Sequence, residues 1–282
     1  MTPPATATAA AAAAAPIGVF DSGVGGLTVV RELIRQLPRE SLIYFGDTAR
    51  VPYGPKSPDT IRSYSREIGG YLASQGVKAL VVACNTATAH ALPMLAAELA
   101  VPVIGVVEPG ARAAVEATRG GGIGVIGTAG TIASEAYERA IHAISPSARV
   151  VTQACPLFVP LVEEGWLDAE ATTLIAREYL APIIAAGVDT LVLGCTHYPL
   201  LAPVIAAIVG DSVRLIDSAH ATAAATRAAI AQAGLDRPGT GADAASPPRY
   251  RFVVSDAPDQ FLRAGRRFLG SAIERVETHT FN

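Results

Sequence analysis

The sequence of 282 residues contains few cysteines, and their arrangement excludes two common uses of this residue. An odd number of cysteines without any C-x-x-C spacing argues against a disulfide scaffold and against a zinc knuckle. We therefore expect reduced thiols and a cytoplasmic protein. The three cysteines are Cys84, Cys155 and Cys195.

Long apolar runs and long runs of one charge are also missing. No stretch reaches the roughly 18 uncharged residues of a membrane span, because charges, prolines and glycines interrupt every candidate. The 22 basic and 25 acidic residues give a net charge of −3 and are well mixed. This balance argues against a membrane or nucleic-acid partner and favours a small polar ligand.

The first fifteen residues lack the features of a secretory signal. They are almost wholly Ala, Thr and Pro, without a basic start or a centre rich in Leu and Val. We predict that residues 1–15 form a disordered extension.

The rest of the chain alternates short apolar runs with longer amphipathic segments. Half of all residues are hydrophobic, which is enough for a sizeable core. Strand-length runs separated by room for a helix predict an α/β fold with mainly parallel sheets. The predicted strands are residues 17–20, 42–45, 79–83, 103–107, 123–126, 150–153, 190–193, 213–216 and 250–254.

An internal repeat links the two halves of the chain. Ile17-Gly18-Val19 recurs as Ile123-Gly124-Val125, and the string ending at Cys84 recurs in the string ending at Cys195. Glu108 has an approximate counterpart in Asp217. The repeat predicts two similar doubly wound domains, related by pseudo-twofold symmetry with the active site between them. The expected domains are residues 16–108 with 218–282, and residues 109–217.

Polar residues cluster where the predicted strands end. In open α/β sheets, ligands bind beyond the carboxyl ends of the strands, so we expect these clusters to converge on one cleft. The clusters are Asp21-Ser22, Gly46-Asp47, Cys84-Asn85-Thr86, Glu108, Gly127-Thr128 and Cys195-Thr196-His197.

Two of the three thiols are candidates for catalysis. A single free cysteine is commonly a small buried hydrophobe, but Cys84 and Cys195 occupy equivalent strand ends of the repeat. His197 lies close enough to Cys195 to favour its thiolate, and Asp21 could play the matching part beside Cys84. Cys155 lacks this setting and is assigned to packing. Structural roles are also predicted for His90, His142, His220 and His279.

Three other segments allow a structural and a functional interpretation. The loop from Asp21 to Gly26 either contains a plain helix cap or receives an anion on its free amides. Tyr53-Gly54 is either a rigid proline-flanked turn or a set of amides for a carboxylate. The pair Glu163-Glu164 is either a solvated helix end or part of the site.

Together these residues resemble the glutamate racemases, within the cofactor-independent aspartate/glutamate racemase family. The resemblance runs from about Ile17 to the C-terminus. It is carried by the strings Gly18-Val19-Phe20-Asp21-Ser22-Gly23-Val24-Gly25-Gly26, Tyr44-Phe45-Gly46-Asp47, Pro52-Tyr53-Gly54, Ala83-Cys84-Asn85-Thr86-Ala87-Thr88 and Gly194-Cys195-Thr196-His197-Tyr198-Pro199-Leu200.

The resemblance implies a reaction and a set of site residues. The reaction is interconversion of L- and D-glutamate by two-base proton transfer at Cα, without cofactor or metal, supplying D-glutamate for peptidoglycan; a homodimer is a further expectation. The implied catalytic residues are Cys84, Cys195, Asp21, His197 and Glu163, although Glu164 could take the place of Glu163. The implied substrate-binding residues are Asp21, Ser22, Tyr53, Gly54, Asn85, Thr86, Thr128, Thr196 and His197, with Thr131 nearby.

Three alternatives remain open. An aspartate racemase of the same family is the nearest, but that group tends to carry an acidic residue where this chain has His197. A two-lobed protein that binds an amino acid without reacting would explain the repeat but not the paired thiols. A metal or redox site could use Cys84, Cys195 and His197, yet no fourth ligand is evident.

Overall fold

The computed structural model describes residues 11–237 and 247–281, which form two parallel β-sheets with flanking helices. The strands are β1 (Ile17–Asp21), β2 (Leu42–Gly46), β3 (Ala79–Val82), β4 (Val103–Gly105), β5 (Ile123–Gly127), β6 (Val150–Ala154), β7 (Thr190–Gly194), β8 (Arg214–Asp217), β9 (Tyr250–Val254) and β10 (Val276–Thr278). The helices are α1 (Leu27–Gln36), α2 (Pro58–Ser74), α3 (Asn85–Glu98), α4 (Val107–Ala117), α5 (Ala129–Ala133), α6 (Ala136–Ile144), α7 (Phe158–Glu163), α8 (Glu170–Ala185), α9 (Ala202–Val209), α10 (Ser218–Gln232) and α11 (Pro258–Leu269).

The two sheets repeat one strand order. The first has the order β10-β9-β2-β1-β3-β4, and the second has the order β6-β5-β7-β8. The sequence β2-β1-β3-β4 in the first sheet therefore corresponds to β6-β5-β7-β8 in the second. The predicted α/β fold with two similar doubly wound halves is confirmed.

The central strands are apolar because helices cover both faces of each sheet. Every residue of β1, β2, β3, β5 and β7 is buried, as expected for parallel strands inside an α/β layer. Helix α10 packs against both α1 and α4, so it contacts elements of both halves. No helix in residues 11–237 or 247–281 is long and apolar enough to cross a bilayer.

The predicted strand at residues 103–107 is wrong at its end. The strand stops at Gly105, and α4 begins at Val107 with Pro109 in its first turn, where the fixed φ of proline suits a helix. Glu108 is therefore an exposed helical residue rather than a polar strand end in the cleft. Its proposed match to Asp217 is also wrong, because Val82 pairs with Gly105 while Leu193 pairs with Asp217.

The expected disorder of residues 1–15 is wrong for part of this range. Residues 11–14 are helical, as the high helix propensity of alanine favours. The Nζ of the buried Lys78 donates a 2.7 Å hydrogen bond to the carbonyl of Ala13. Residues 1–10 lie outside the described residues. Strand β10 was not predicted, because its three residues are too short to show a pattern.

Candidate active site

A cavity of about 270 Å³ lies where the carboxyl ends of the two sheets meet. Both candidate thiols line it. Cys84 lies two residues beyond the end of β3, and Cys195 lies one residue beyond the end of the corresponding strand β7. The lining residues are Ser22, Val51, Pro52, Tyr53, Gly54, Pro55, Cys84, Asn85, Thr86, Thr128, Ala129, Pro156, Val159, Pro160, Glu163, Cys195, Thr196 and His197.

Cys84 is held at the start of helix α3. Its Sγ accepts a 3.5 Å hydrogen bond from the amide of Ala87 and lies 3.8 Å from the hydroxyl oxygen of Ser22, to which the thiol can donate. Burial and the nearby Asp21 carboxylate raise the pKa of Cys84 to about 12. Cys84 is therefore a neutral thiol at neutral pH.

Cys195 has a different set of neighbours. Its Sγ lies 3.9 Å from Nδ1 of His197, and Nε2 of His197 lies 3.3 Å from Oε1 of Glu163. The contacts thus run from the thiol of Cys195 through His197 to the carboxylate of Glu163, whose side chain is 35 % exposed.

The imidazole of His197 is buried, yet it favours its charged form. Burial lowers its pKa, but the hydrogen bonds with Cys195 and Glu163 outweigh that effect and raise the pKa to about 10. An imidazolium donates from both ring nitrogens, so His197 can stabilise a thiolate on Cys195.

Asp21 ends strand β1 and lies behind the cavity wall. Its Oδ2 accepts a 3.0 Å hydrogen bond from the amide of Gly23, and its Oδ1 accepts a 3.3 Å hydrogen bond from the hydroxyl of Thr196. Helix α1 begins only at Leu27 with Gly26 as its N-cap, so the interpretation of Asp21 as a helix cap is wrong. Asp21 instead connects the first domain to the loop that carries Cys195.

The Tyr53-Gly54 loop is fixed at both ends of the dipeptide. The hydroxyl of Tyr53 donates a hydrogen bond to Oδ2 of the buried Asp47. The carbonyl of Gly54 accepts a 2.9 Å hydrogen bond from the amide of Gly130 in the other half. Burial and Asp47 raise the pKa of Tyr53 well above its usual value, so the phenol remains a donor.

Asn85 supplies a polar group that has no partner. Its Oδ1 accepts a 2.7 Å hydrogen bond from the hydroxyl of Tyr137, whereas its buried Nδ2 has none among the residues that the structure describes. A buried amide without a partner is costly, so a ligand oxygen in the cavity would satisfy it.

Three threonine hydroxyls join the two halves beside Asn85. Thr86 Oγ1 lies 2.9 Å from Thr128 Oγ1 and 3.2 Å from Thr131 Oγ1, and the last two atoms are 3.0 Å apart. Thr86 and Thr128 line the cavity, and Thr131 lies behind them.

The structure brings together nearly all residues expected from the sequence. Of the expected catalytic and substrate-binding residues, only Asp21 does not line the cavity. Glu163, and not Glu164, contacts His197. Cys155 is buried in the core of the second half, as predicted.

Several site residues were missed by the sequence analysis. Val51, Pro156, Val159 and Pro160 form apolar walls, and an apolar residue or a proline carries no sign in a sequence that it will face a cavity. Tyr137 was missed because it reaches Asn85 only through the packing of the two halves. Within the described ranges, no group of three or more His, Cys, Asp or Glu side chains could hold a metal ion.

The fold and the site define a doubly wound α/β enzyme with two thiols on one cavity. A family model described as Asp/Glu/Hydantoin racemase matches residues 17–226. The chain belongs to this family of isomerases.

Several similar proteins are glutamate racemases. The chain is 55 % identical to the glutamate racemase of Geobacter metallireducens, over 92 % of this chain and 94 % of that protein. The structure of the glutamate racemase isoform RacE1 from Bacillus anthracis aligns with a TM-score of 0.87 and 41 % identity, covering 95 % of this chain and 97 % of that one. The Francisella tularensis glutamate racemase in complex with D-glutamate also aligns with a TM-score of 0.87, at 38 % identity, covering 95 % and 98 %. These relatives confirm the resemblance found in the sequence.

Proposed function

We propose that this protein racemises glutamate with Cys84 and Cys195 as its two acid–base groups. The observation that carries the proposal is that both thiols line one cavity from corresponding strand ends of a repeated fold. Inversion at carbon needs a base on one face and an acid on the other, because a single group tends to return the proton to its original side. Two thiols meet this requirement.

The reaction consists of two proton transfers. A thiolate takes the proton from Cα, so that an S–H bond forms while the C–H electron pair stays on the substrate. The opposite thiol then gives its proton to the other face of Cα and becomes the thiolate. The enzyme ends with the two protonation states exchanged, which prepares it for the other enantiomer.

The two thiols have different charged neighbours. Burial and Asp21 keep Cys84 protonated, because they raise its pKa to about 12. His197 stabilises a thiolate on Cys195 from 3.9 Å away. We therefore assign the first proton abstraction in the resting enzyme to Cys195, from whichever enantiomer directs its Cα–H toward this residue.

The carbanion intermediate requires fixed donors in a site with little water. The free Nδ2 of Asn85 is the best placed of these donors, since the structure leaves it buried without a partner among the described residues. The hydroxyls of Ser22, Thr86, Thr128 and Thr196 and the amide of Gly54 surround the same cavity. We assign them to the carboxylates and ammonium of glutamate.

The remaining assignments are positioning roles. Glu163 orients His197 through their 3.3 Å contact, and Asp21 orients Thr196. The proposal also places the enzyme in the cytoplasm as a homodimer that supplies D-glutamate for peptidoglycan. The unpaired cysteines favour the reducing compartment, and family resemblance supports the dimer.

The decisive experiment follows deuterium incorporation at Cα in D₂O. Purified, metal-free protein is supplied separately with L-glutamate and D-glutamate, while optical rotation is recorded in parallel. We expect deuterium uptake from both enantiomers together with loss of rotation. Absence of both signals would refute the proposal, and exchange with aspartate alone would select the aspartate racemase.

A further inference from the structure

A chain of contacts leads from the substrate loop to the last residues of the described chain. The substrate loop, residues 51–54, lines the cavity. Its Tyr53 is tied to Asp47, which is fully buried. Asp47 accepts two further side-chain donors: Ser255 Oγ lies 2.8 Å from Oδ1, and Arg50 Nε lies 2.8 Å from Oδ2.

The guanidinium of Arg50 is the counter-charge of Asp47. A buried carboxylate is costly unless a cation and hydrogen bonds compensate it, so the orientation of Arg50 decides whether Asp47 can hold Tyr53. The Arg50 side chain is only 19 % exposed, and its Nη1 makes a 2.6 Å ion pair with Glu67 on α2. Two acidic partners at two edges of the guanidinium fix its plane.

Aromatic rings also hold the guanidinium of Arg50. Its Cζ lies 4.0 Å from the ring centre of Tyr64 and 4.9 Å from the ring centre of Phe281. Such cation–ring contacts stabilise arginine more when water is kept away. Tyr64 lies on α2, whereas Phe281 follows β10.

Phe281 is itself anchored in an aromatic cluster. Its ring centre lies 5.4 Å from that of Phe45 on β2 and 5.0 Å from that of His279, which stacks on Tyr71 at 4.1 Å. The parallel pairing of β10 with β9 brings this segment to the edge of the first sheet. Phe281 is therefore packed beside Arg50, whose contacts lead through Asp47 to Tyr53 in the cavity wall.

We propose that Arg50 and Phe281 are positioning residues that hold the substrate loop in its binding conformation. The path runs from Phe281 to Arg50, then to Asp47 and Tyr53. Neither Arg50 nor Phe281 lines the cavity, so both act through Tyr53. The inference concerns affinity for glutamate and rests on the proposed function.

The test compares Phe281→Ala and Arg50→Lys with wild type. We expect the KM for both glutamate enantiomers to rise on the order of tenfold while kcat changes less than about twofold, because a displaced wall weakens binding in the ground and transition states alike. Phe281→Tyr keeps the ring and should restore the wild-type KM. Arg66→Ala removes an exposed ion pair between Arg66 on α2 and Glu98 on α3, and it serves as the matched control.

Two further measurements separate positioning from general destabilisation. Hydrogen–deuterium exchange should accelerate at residues 48–56 in Phe281→Ala and stay unchanged at the second sheet. The effects of Tyr53→Phe and Phe281→Ala on KM should combine less than additively, since both break one path. Unchanged exchange in the loop, uniformly faster exchange, or full additivity would each overturn the inference. A wild-type protein without racemase activity would refute the proposed function, while the exchange data would still decide this inference.

Discussion

The hydroxyl of Tyr137 donates a 2.7 Å hydrogen bond to Oδ1 of Asn85, and this bond joins helix α6 to the first residue of helix α3. Because the amide oxygen accepts this bond, the amide nitrogen remains a buried donor without a partner among the described residues. A residue in the second half of the molecule thus sets the orientation of a donor in the first.

Tyr137→Phe should therefore weaken glutamate binding without unfolding the protein. Loss of one buried hydrogen bond costs about 0.5–1.5 kcal/mol, which corresponds to a rise in KM of roughly twofold to thirteenfold. Steady-state kinetics with both enantiomers would check this. Tyr179→Phe changes a tyrosine on α8 outside the cavity and should leave KM unaltered.

Replacing either cysteine should stop racemisation but leave different partial reactions. In Cys84→Ser, Cys195 can still abstract the proton from one enantiomer, so that enantiomer should exchange Cα hydrogen without inversion. In Cys195→Ser the residual exchange should be confined to the other enantiomer. Mass spectrometry of L- and D-glutamate recovered from D₂O measures both. Mild, equal losses in the two variants would contradict opposed roles.

The pH dependence of kcat/KM should reflect the loss of the proton from the imidazolium of His197. Its pKa is raised from 6.5 to about 10, so the charged form persists through neutral pH and is lost as pH rises through about 10. We expect kcat/KM to fall in that range. Because Glu163 helps to raise this pKa, Glu163→Gln should move the alkaline limb to lower pH. The neighbouring Glu164→Gln should leave the limb in place, and an equal shift in both variants would refute the role of Glu163.

The position of His197 beside the thiol of Cys195 depends on the absence of a side chain at Gly25. A Cβ at this position would lie 2.4 Å from Thr196 Oγ1 and 2.5 Å from His197 Nδ1, so both groups would have to move. Gly25→Ala should lower kcat by on the order of a hundredfold, as displacements of about 1 Å at reacting groups do. Gly70→Ala, where a Cβ would meet nothing within 4 Å, is the matched control.

Asp189 should stabilise the protein at neutral pH, and this stabilisation should be lost only in strong acid. Burial raises its pKa, but hydrogen bonds from Thr118, Gly121 and Arg119 outweigh this and lower the pKa from 3.8 to about 2. The stabilisation is complete above pH 3.8 and is lost as pH falls through about 2. Asp189→Asn should lower the free energy of unfolding by about 1–3 kcal/mol at pH 7. Urea unfolding at pH 7 and pH 2 should show a much smaller difference between Asp189→Asn and wild type at the lower pH.

The sequence predicted correctly those features of the fold and site that depend on local residue patterns. The repeat placed Cys84 and Cys195 on equivalent strands, because apolar strand runs and the polar residues that end them are visible in a sequence. It failed at residues 103–107, where one proline shifts the boundary between strand and helix. It could not find Tyr137 or the path from Phe281 to Arg50, because these contacts join residues far apart in the chain and depend on packing.

The different surroundings of the two thiols have a limited consequence for turnover in each direction. L- and D-glutamate have equal free energies in water, so kcat/KM must be the same whichever enantiomer is supplied. The different surroundings of the two thiols, Ser22 near Cys84 and His197 near Cys195, can therefore make kcat and KM differ between the two enantiomers only in the same proportion. The enantiomer with the lower KM must therefore also have the lower kcat. The protein can thus bind one enantiomer more tightly than the other, but it cannot shift the equilibrium of free glutamate away from equal amounts of the two enantiomers.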